Sequence, residues 1–377
     1  MDYDEYENLC EEEDEMTDQE SEDDTSSRIK LGVSRYKNIM GVTCYMNSIL
    51  HILQQIPLFV NYIYSFEFED ILLYKIGNTN KLINNYVIYE LHRLFKASIN
   101  NDNSIITPVT FKKLIGIKND MWDEINHQDS QEFFNFLISQ IKEDIGVKKE
   151  FINLKCDYQD RTISESINNL IASDALTKFQ SFEYSSLSEL FDGLYKNSCS
   201  CSFCKSNNLN FEPFLTLGVD INNNNNLYEC LDELCSDQQL DINNKITCDF
   251  CGLPNRALKK TLFWKTPKIL VIHIKRFGNG QQKNTTNINY PVQNLDLSKY
   301  IDQESPYKLY CKYDLIGINI HLSLGMDENI NSGHYISFVK SMMNNNWYIY
   351  NDSDEPEELE DDLQNNDAYL LFYYRQN

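Results

Sequence analysis

The sequence predicts an α+β fold in which helices come first along the chain and antiparallel strands come later. Between residues 41 and about 195 the strongest patterns have helical spacing, as in SQEFFNFLISQIKEDI, whose apolar positions share one face: 134, 137, 138, 141 and 145. From residue 257 onward, short runs rich in Ile, Val, Tyr and Phe alternate with Asn, Gly and Asp clusters, which is typical of strands. Helices grouped before strands suit a cleft between two lobes.

Length and composition describe a chain that can bury a large core. Its 377 residues are 42% hydrophobic, enough for one large domain or a few smaller ones. No charged start precedes an apolar run, and no run of 18 or more apolar residues occurs, so the sequence indicates neither export nor membrane spanning. With eleven cysteines and no secretory signal, we expect a reducing compartment, the cytoplasm or the nucleus.

The charge of the chain is acidic and concentrated at the N-terminus. A net charge of −24 argues against a nucleic-acid partner, because phosphate backbones require basic surface, and it fits a basic protein partner better. The first 25 residues hold 14 Asp or Glu and no Lys or Arg. Because such a segment repels itself, residues 1–30 are predicted to form a disordered acidic tail.

The stretch GVTCYMNS, residues 41–48, ends a turn-like run and leads into the helical run ILHILQQI. Thr43 is a candidate N-cap, Pro57 stops the run, and one stripe of apolar positions is expected to be buried: 46, 49, 50, 53 and 56. Cys44 then lies at the first turn, where free N–H groups and the helix dipole favour its thiolate. Taken alone, such a cysteine is more often a buried structural residue, so a catalytic interpretation needs a base.

A partner base occurs in SGHYISFVK, where His334 begins an alternating strand just after a glycine. Seventeen residues later, WYIYNDSD places Asn351 and Asp352 after another aromatic strand, where either can accept an imidazole N–H. A cysteine at a helix start with a His and an Asn on strands is the papain-like arrangement, in which the third residue orients the base.

Two pairs of cysteines have the spacing of a structural metal site. Cys201-x2-Cys204 and Cys248-x2-Cys251 can wrap four thiolates around one Zn²⁺ per chain. No ligand position is left for water, so the predicted site is structural. Cys199 is a competing ligand that is one step out of register.

The stretch HQDSQEFFNFL holds carboxylates just ahead of an amphipathic helix. Asp129 and Glu132 are spaced as the N-cap and N3 residues of that helix, so a capping box explains them without any substrate.

Together these stretches resemble the ubiquitin-specific proteases. NIMGVTCYMNSILHIL resembles the Cys box of that family, and SGHYISFVK with WYIYNDSD resembles its His box. HQDSQEFFNFL resembles the Gln-Asp box, FDGLYKNSCSCSFC and NNKITCDFCG resemble the halves of the zinc finger, and KTPKILVIHIKRF and AYLLFYYR resemble palm strands. All appear in family order, over residues 31–375.

The resemblance implies a thumb, palm and fingers architecture that holds ubiquitin and cuts after its C-terminal glycine. The thumb would span about 31–185, the fingers about 186–262 and the palm about 263–377, forming one catalytic domain over 31–377. The implied enzyme is a monomeric cysteine-type ubiquitinyl hydrolase that acts on ubiquitin and ubiquitinated proteins.

Residue roles follow from the same resemblance. Cys44 would be the nucleophile, His334 the general base and acid, and Asn351 the residue that orients His334. Asp352 would be an adjacent polar residue that assists in the same site. Gln128 and the carboxylates of Asp129 and Glu132 would also meet the basic tail of ubiquitin, Arg-Leu-Arg-Gly-Gly.

One position departs from the family pattern. Members usually carry an Asn five residues before the nucleophile, but here that position is Ile39 and the nearest Asn is Asn38, six before. Either the loop holds one extra residue and Asn38 still reaches the oxyanion, or backbone N–H groups act alone. Asn38 can also be a loop residue that bonds its own backbone. The departure motivates one alternative for function, a catalytically weak or silent ubiquitin-binding scaffold. A further alternative is a protease for another ubiquitin-like modifier on the same fold.

Overall fold

The structure is a computed structural model. The residues that it describes are 34–65, 67–77, 82–100, 104–146, 165–179, 185–240, 245–278, 282–323, 333–359 and 363–376. The predicted acidic tail, residues 1–30, lies outside this described part of the chain. None of the helices in these ranges has the length and apolar character that a bilayer crossing needs.

The helices, in chain order, are α1 Cys44–Leu53, α2 Pro57–Ser65, α3 Glu69–Gly77, α4 Val87–Asn100, α5 Val109–Lys118, α6 Ser130–Ile145, α7 Glu165–Phe179, α8 Ser186–Phe191 and α9 Leu227–Leu234. The strands are β1 Arg35–Tyr36, β2 Ile105–Ile106, β3 Gly193–Ser200, β4 Asn207–Phe214, β5 Thr216–Asp220, β6 Gln238–Gln239, β7 Ile246–Thr247, β8 Pro254–Asn255, β9 Leu258–Lys265, β10 Ile269–Lys275, β11 Leu295–Asp296, β12 Lys312–Ser323, β13 Gly333–Lys340, β14 Trp347–Tyr350, β15 Glu357–Leu359 and β16 Ala368–Arg375.

The chain forms two compact units, each assembled from several segments. The described residues of the first unit come from Met1–Ile145, Asn279–Lys283 and Ile316–Asp362. Those of the second come from Gly146–Gly278, Asn284–Leu315 and Leu363–Asn377. The α+β prediction is confirmed, with helices dominating residues 44–145 and strands dominating the chain from residue 193. The division into thumb, fingers and palm stays a prediction.

Helix α1 is the central helix of the first unit, and each of its residues is buried. The predicted stripe is confirmed, since every one of its positions is at most 1% exposed: Met46, Ile49, Leu50, Leu53 and Ile56. Pro57 does more than stop a run, because it is the first residue of α2. Proline is suited to that position, where its missing N–H would have no helical partner.

Aromatic rings join the start of α1 to the start of α6. The ring centroids of Tyr45, Trp122 and Phe133 lie 5.4 to 5.6 Å apart in all three pairs, two of them edge-on. The predicted face of α6 is also confirmed, because its apolar residues are all buried: Phe134, Leu137, Ile138, Ile141 and Ile145. This packing fixes the N-termini of two helices close to one another.

The sheet of the first unit is antiparallel and follows the order β12-β13-β14-β15. Strand β12 passes so close to α1 that a Cβ on Gly317 would lie 2.7 Å from a methyl carbon of Ile52. Only glycine allows this approach, which brings the sheet onto the helix that carries Cys44. A parallel pair of two residues each, β1 with β2, lies elsewhere in the unit.

The second unit contains a sheet in the order β4-β3-β9-β6, a two-stranded ribbon of β7 and β8, and the strands β5, β10 and β16. Helix α7 packs on the β4-β3-β9-β6 sheet through a small core of Ala172, Leu194, Phe211 and Trp264. The predicted strand runs are confirmed, with one difference in direction: β10 pairs antiparallel with β16 but parallel with β5. A parallel pair requires a long connection, which the cysteine-rich region between β5 and β10 supplies.

Candidate active site

Cys44 is the first residue of α1, and its side chain is almost fully buried. The backbone N–H of Tyr335, the residue that follows His334 on β13, hydrogen-bonds its thiol. Thr43 occupies the N-cap position, but its hydroxyl accepts the N–H of Ile39 at 2.9 Å and makes no cap bond to the helix. The helix therefore begins where the sequence predicts, but the predicted cap is wrong, because the Thr43 side chain makes no hydrogen bond to the first turn.

The prediction of a lowered pKa at Cys44 is also wrong. Burial raises the pKa of its thiol to about 11, and the negative charge of Asp352 acts in the same direction. Hydrogen bonds from the backbone N–H groups of Tyr335 and Tyr45 oppose this without overcoming it. Desolvation of the sulfur outweighs the helix dipole. At neutral pH the sulfur of the resting protein keeps its proton, so a base must remove that proton.

His334 is held by Asn351 in the geometry of an oriented base. Its Nε2–H donates to Oδ1 of Asn351 over 2.6 Å, and Nδ2 of Asn351 donates to a carboxylate oxygen of Asp354 over 2.6 Å. Because Nε2 is bonded in this way, Nδ1 is the ring nitrogen that can take up a proton. The side chain of His334 is 23% exposed, so the ring is accessible to solvent.

Asp352 connects three segments of the first unit. Its backbone has a φ of +48°, and its carbonyl oxygen accepts the N–H of Tyr36 over 3.1 Å. One carboxylate oxygen accepts from Nδ2 of Asn38 at 2.8 Å and lies 3.8 Å from Nε2 of His334. The other accepts from Nδ2 of Asn47 at 2.8 Å. Burial raises the pKa of Asp352, and hydrogen bonds from both amides and the proximity of His334 oppose that rise.

Asn38 reaches the start of α1 from its place six residues before Cys44. Its Oδ1 accepts the N–H of Thr43 at 2.8 Å, while its Nδ2 donates to Asp352. Met40 and Gly41 both adopt positive φ, at 52° and 76°, which turns the loop back on itself. Both interpretations of Asn38 are compatible with this geometry, because its oxygen accepts from a nearby backbone N–H and its nitrogen donates to Asp352.

Two residues at this site are absent from the sequence-based expectations. Asp354 accepts from Asn351, and Asn47 donates to Asp352. A weak signal for Asn47 exists in the sequence, since it lies three positions after Cys44 and such positions share one side of a helix. No signal identifies Asp354, because its partner is fixed by the turn after β14.

The carboxylates ahead of α6 have different roles. Oδ1 of Asp129 accepts the N–H groups of Gln131 at 2.6 Å and Glu132 at 3.2 Å, as an N-cap does. Glu132 is exposed, and its pKa is raised by partial burial and by the charge of Asp129. Gln128 donates its side-chain amide to the carbonyl of Met121. Asp129 thus caps the helix and leaves Glu132 directed toward solvent.

The second unit contains a cluster of four cysteines in which all sulfur atoms lie within 4.8 Å of one another: Cys201, Cys204, Cys248 and Cys251. Sulfur–sulfur distances across the two pairs are 3.9 Å for Cys201–Cys251 and 3.6 Å for Cys204–Cys248. The predicted set is brought together, and Cys199 is not among the cysteines that the cluster contains. Four close thiolates are the donor set of a structural tetrahedral metal site.

The two cysteine pairs have the same backbone geometry. In each pair the N–H four residues after the first cysteine, on Lys205 or Gly252, donates to the carbonyl of that cysteine. Both residues have positive φ, 59° and 68°. The N–H of each first cysteine in turn donates to the carbonyl five residues on, at Ser206 or Leu253. These turns aim both sulfurs of a pair in one direction, so the donor set fits a metal ion.

Comparison with known proteins gives matches over most of the chain. The family described as "UCH: Ubiquitin carboxyl-terminal hydrolase" matches residues 36–373. A probable ubiquitin carboxyl-terminal hydrolase of Acanthamoeba polyphaga mimivirus is 27% identical over 93% of this chain and 92% of its own length. Ubiquitin carboxyl-terminal hydrolase 2 of Gallus gallus is 29% identical over 92% of this chain and 95% of its own length.

Among solved structures, a chain of the SAGA Ubp8/Sgf11/Sus1/Sgf73 DUB module bound to ubiquitin aldehyde is similar in fold. Its TM-score is 0.68 at 25% identity, over 93% of this chain and 71% of that chain. A chain of the same module with a substituted Ubp8, bound to monoubiquitin, has a TM-score of 0.70 at 24% identity, over 98% of this chain and 74% of that one.

Proposed function

This chain belongs to the ubiquitin carboxyl-terminal hydrolase family, and we propose that it hydrolyses bonds after the C-terminal glycine of ubiquitin with Cys44, His334 and Asn351 as its catalytic residues. The enzyme class is a thiol-dependent deubiquitinase. One observation supports the residue assignment above the others. The thiol of Cys44 is bonded by the N–H of the residue next to His334, and His334 is itself bonded to Asn351.

The reaction follows from the positions of the protons. Nδ1 of His334 takes the proton of the Cys44 thiol, and the sulfur attacks the carbonyl carbon of the last glycine. The C–N bond then breaks as His334 returns the proton to the leaving amine, which leaves a thioester. Water, deprotonated by the same imidazole, hydrolyses the thioester and restores the thiol. Nε2–H stays hydrogen-bonded to Asn351 throughout, so Nδ1 is the ring nitrogen that exchanges the proton with the sulfur.

The buried thiol makes the proton transfer the step that depends most on His334. With a pKa of about 11, Cys44 holds its proton at neutral pH until the base removes it. Asp352, whose carboxylate lies 3.8 Å from Nε2, stabilises the imidazolium that forms in that step. The same charge that disfavours an isolated thiolate therefore favours the imidazolium.

We assign the oxyanion of the tetrahedral intermediate to Asn38 together with backbone N–H groups at Cys44. Nδ2 of Asn38 carries two hydrogens, of which Asp352 accepts one. The Asn38→Ala variant should lose about 100- to 1,000-fold in kcat, because one oxyanion donor contributes on that order. KM should change little, since the oxyanion does not exist in the bound substrate. Steady-state hydrolysis of a ubiquitin C-terminal fluorogenic amide measures both.

The matched control for Asn38→Ala is Ile39→Val, at the neighbouring position where the family usually carries its Asn. Ile39 is buried, so this change should affect stability slightly and leave kcat close to that of the wild type. If Asn38→Ala keeps more than half of the wild-type kcat, backbone N–H groups bind the oxyanion without it.

Glu132 is the residue that we propose for recognition of the ubiquitin tail, with Asp129 and Gln128 as its supports. Asp129 is engaged as a helix cap and Gln128 in a bond to Met121, while Glu132 is exposed. A carboxylate in that position offers charge-assisted bonds to the arginines of the tail.

For the cysteine cluster we propose Zn²⁺, one ion per chain. Four sulfur atoms within 4.8 Å of one another suit this metal, and such a site supplies folding energy and takes no part in the reaction. The proposed working form is a monomer in the cytoplasm or nucleus, whose reducing conditions suit the cysteine-rich sequence.

A comparison of modifiers tests the proposed function. Probes made from ubiquitin and from other ubiquitin-like modifiers, each ending in an electrophile, are incubated with the full-length protein. We expect an adduct with the ubiquitin probe, located on Cys44 by peptide mass spectrometry. Labelling by a different modifier alone would point to the second alternative, and ubiquitin binding without labelling would point to the silent scaffold.

A further inference from the structure

Asn47 is a buried amide on the helix that carries Cys44, and it contacts the segment that follows β14. Its side chain is 0% exposed, and its Nδ2 donates to a carboxylate oxygen of Asp352 over 2.8 Å. The same nitrogen lies 3.3 and 3.4 Å from the carbonyl oxygens of Tyr36 and Lys37. One side chain thus joins the nucleophile helix, the loop before it and the loop after the catalytic strands.

The contacts fix which way the amide points. All three partners of Asn47 are acceptors, so the nitrogen must face them, because a flipped amide would place its oxygen against a carboxylate and two carbonyls. As a result Oδ1 of Asn47 is buried without a hydrogen-bond partner in the described part of the chain. An unpaired buried acceptor destabilises the fold, because it has given up its bond to water. Packing alone would favour an apolar residue of the same shape here.

Asp352 needs these donors because it is charged and largely buried. The groups that face its carboxylate are Asn47 and the Cys44 thiol from α1, Asn38 from the loop, His334 from β13 and Asp354 from its own turn. Asp354 repels it, and His334 attracts it only when the ring is protonated. Asn47 and Asn38 are therefore the donors that keep the carboxylate in one place before the imidazolium forms.

We propose that Asn47 is a positioning residue for the hydrolysis, which holds the ionised carboxylate of Asp352 beside His334 so that the imidazolium is stabilised as it forms. This inference rests on the proposed function, since it assigns Asn47 a part in the same proton transfer. Asn47 acts through Asp352 and does not touch the reacting atoms. Because Asn47 lies on α1, it also holds Asp352 at a fixed position relative to the sulfur of Cys44.

Two variants with opposite pH dependence test the proposal. Asn47→Leu removes the donor, so Asp352 should take up a proton at a higher pH than in the wild type. We expect kcat to fall about 10- to 100-fold at the acidic end of the profile, the size of one lost hydrogen bond to a charged group, and to recover partly as the pH rises. KM should change much less than kcat, because Asn47 is fully buried and cannot contact the substrate.

In Asn47→Asp, kcat should change with pH in the opposite direction to kcat in Asn47→Leu. When its new carboxyl group is protonated, it can donate to Asp352 and replace the amide, so activity is partly rescued at low pH. When both carboxylates are ionised they repel one another, and kcat falls as the pH rises. A purely structural role for Asn47 would lower kcat by similar factors for both variants at every pH, and that result would overturn the proposal.

The matched control is Asn319→Leu. Asn319 is also a fully buried amide, but its partners are Ser48 and Ser130. This variant should lose thermal stability while its pH profile keeps the wild-type shape. If kcat of Asn319→Leu changed with pH as strongly as kcat of Asn47→Leu, loss of any buried amide would have this effect, and the proposal would be overturned.

A readout without turnover separates this inference from the proposed function. NMR titration of the Asp352 carboxyl group in the full-length protein should give a higher pKa in Asn47→Leu than in the wild type, because the amide that donates to its ionised form over 2.8 Å is lost. An unchanged Asp352 pKa in this variant overturns the inference. If the wild type lacks turnover but the Asp352 pKa still differs between the wild type and Asn47→Leu, the proposed function fails while the positioning by Asn47 stands.

Discussion

Replacement of Cys44 by alanine is expected to abolish both ubiquitin hydrolysis and labelling by the ubiquitin probe. In the proposed mechanism the sulfur of Cys44 forms the thioester, and removal of a nucleophile that works with a base lowers kcat by about 10⁶-fold in comparable enzymes. Binding of ubiquitin should persist, because the sulfur is buried and contributes little contact area. Single-turnover hydrolysis and intact-mass analysis after probe treatment measure the two losses, and a binding titration measures the retained affinity.

The control for Cys44→Ala is Cys311→Ala, which removes another buried thiol. Cys311 lies in the second unit, with its sulfur bonded to the carbonyl of Lys308. This variant should react with the ubiquitin probe and hydrolyse ubiquitin substrates like the wild type. An adduct that still forms on Cys44→Ala, or one that disappears from Cys311→Ala, would contradict the assignment of the nucleophile.

Loss of the cysteine cluster is expected to unfold the part of the second unit around it. Zn²⁺ bound by four thiolates contributes on the order of 10–16 kcal/mol of apparent binding energy, and that energy stabilises the fold. The double variant Cys201→Ser/Cys248→Ser removes one ligand from each pair. The zinc content measured by metal analysis should fall from about one ion per chain to none. The region between β3 and β9 should become sensitive to protease.

Chelation of the wild type should give the same protease pattern, reversible on addition of zinc. Cys199→Ser is the matched control, since Cys199 lies on β3 outside the cluster and should keep the full metal content. A double variant that retains one zinc per chain, or a wild-type protein that folds fully without metal, would contradict this site.

Much of the fold was predictable because it depends on local periodicity. The stripe of α1, the face of α6 and the aromatic strands β13, β14 and β16 are repeats of apolar residues that can be read one segment at a time. The cluster of four cysteines was predictable for a similar reason, since each pair is local. The parallel pairing of β5 with β10 was not, because nothing in either strand specifies its partner.

The electrostatics of the site could not be predicted in the same way. The sequence places Cys44 at a helix start, which suggests a low pKa, yet the pKa is raised by burial and by Asp352, more than three hundred residues away. The role of Asn38 likewise depends on two successive positive φ angles in its loop. Long-range proximity and backbone turns of this kind have no periodic signal in the sequence.

The contacts of Asp352 have a consequence for how the proposed catalytic residues separate when this region unfolds locally. Tyr36, Asn38 and Asn47 all bond to this one residue, so Asp352 forms a latch between the segment around Cys44 and the segment after β14. The ion pair of Arg35 with Glu355 joins the same two segments. Breaking the latch would release both segments in one cooperative event. Inactivation and local unfolding would then share one free energy, and amide hydrogens on the two sides of the latch would exchange with solvent at matching rates.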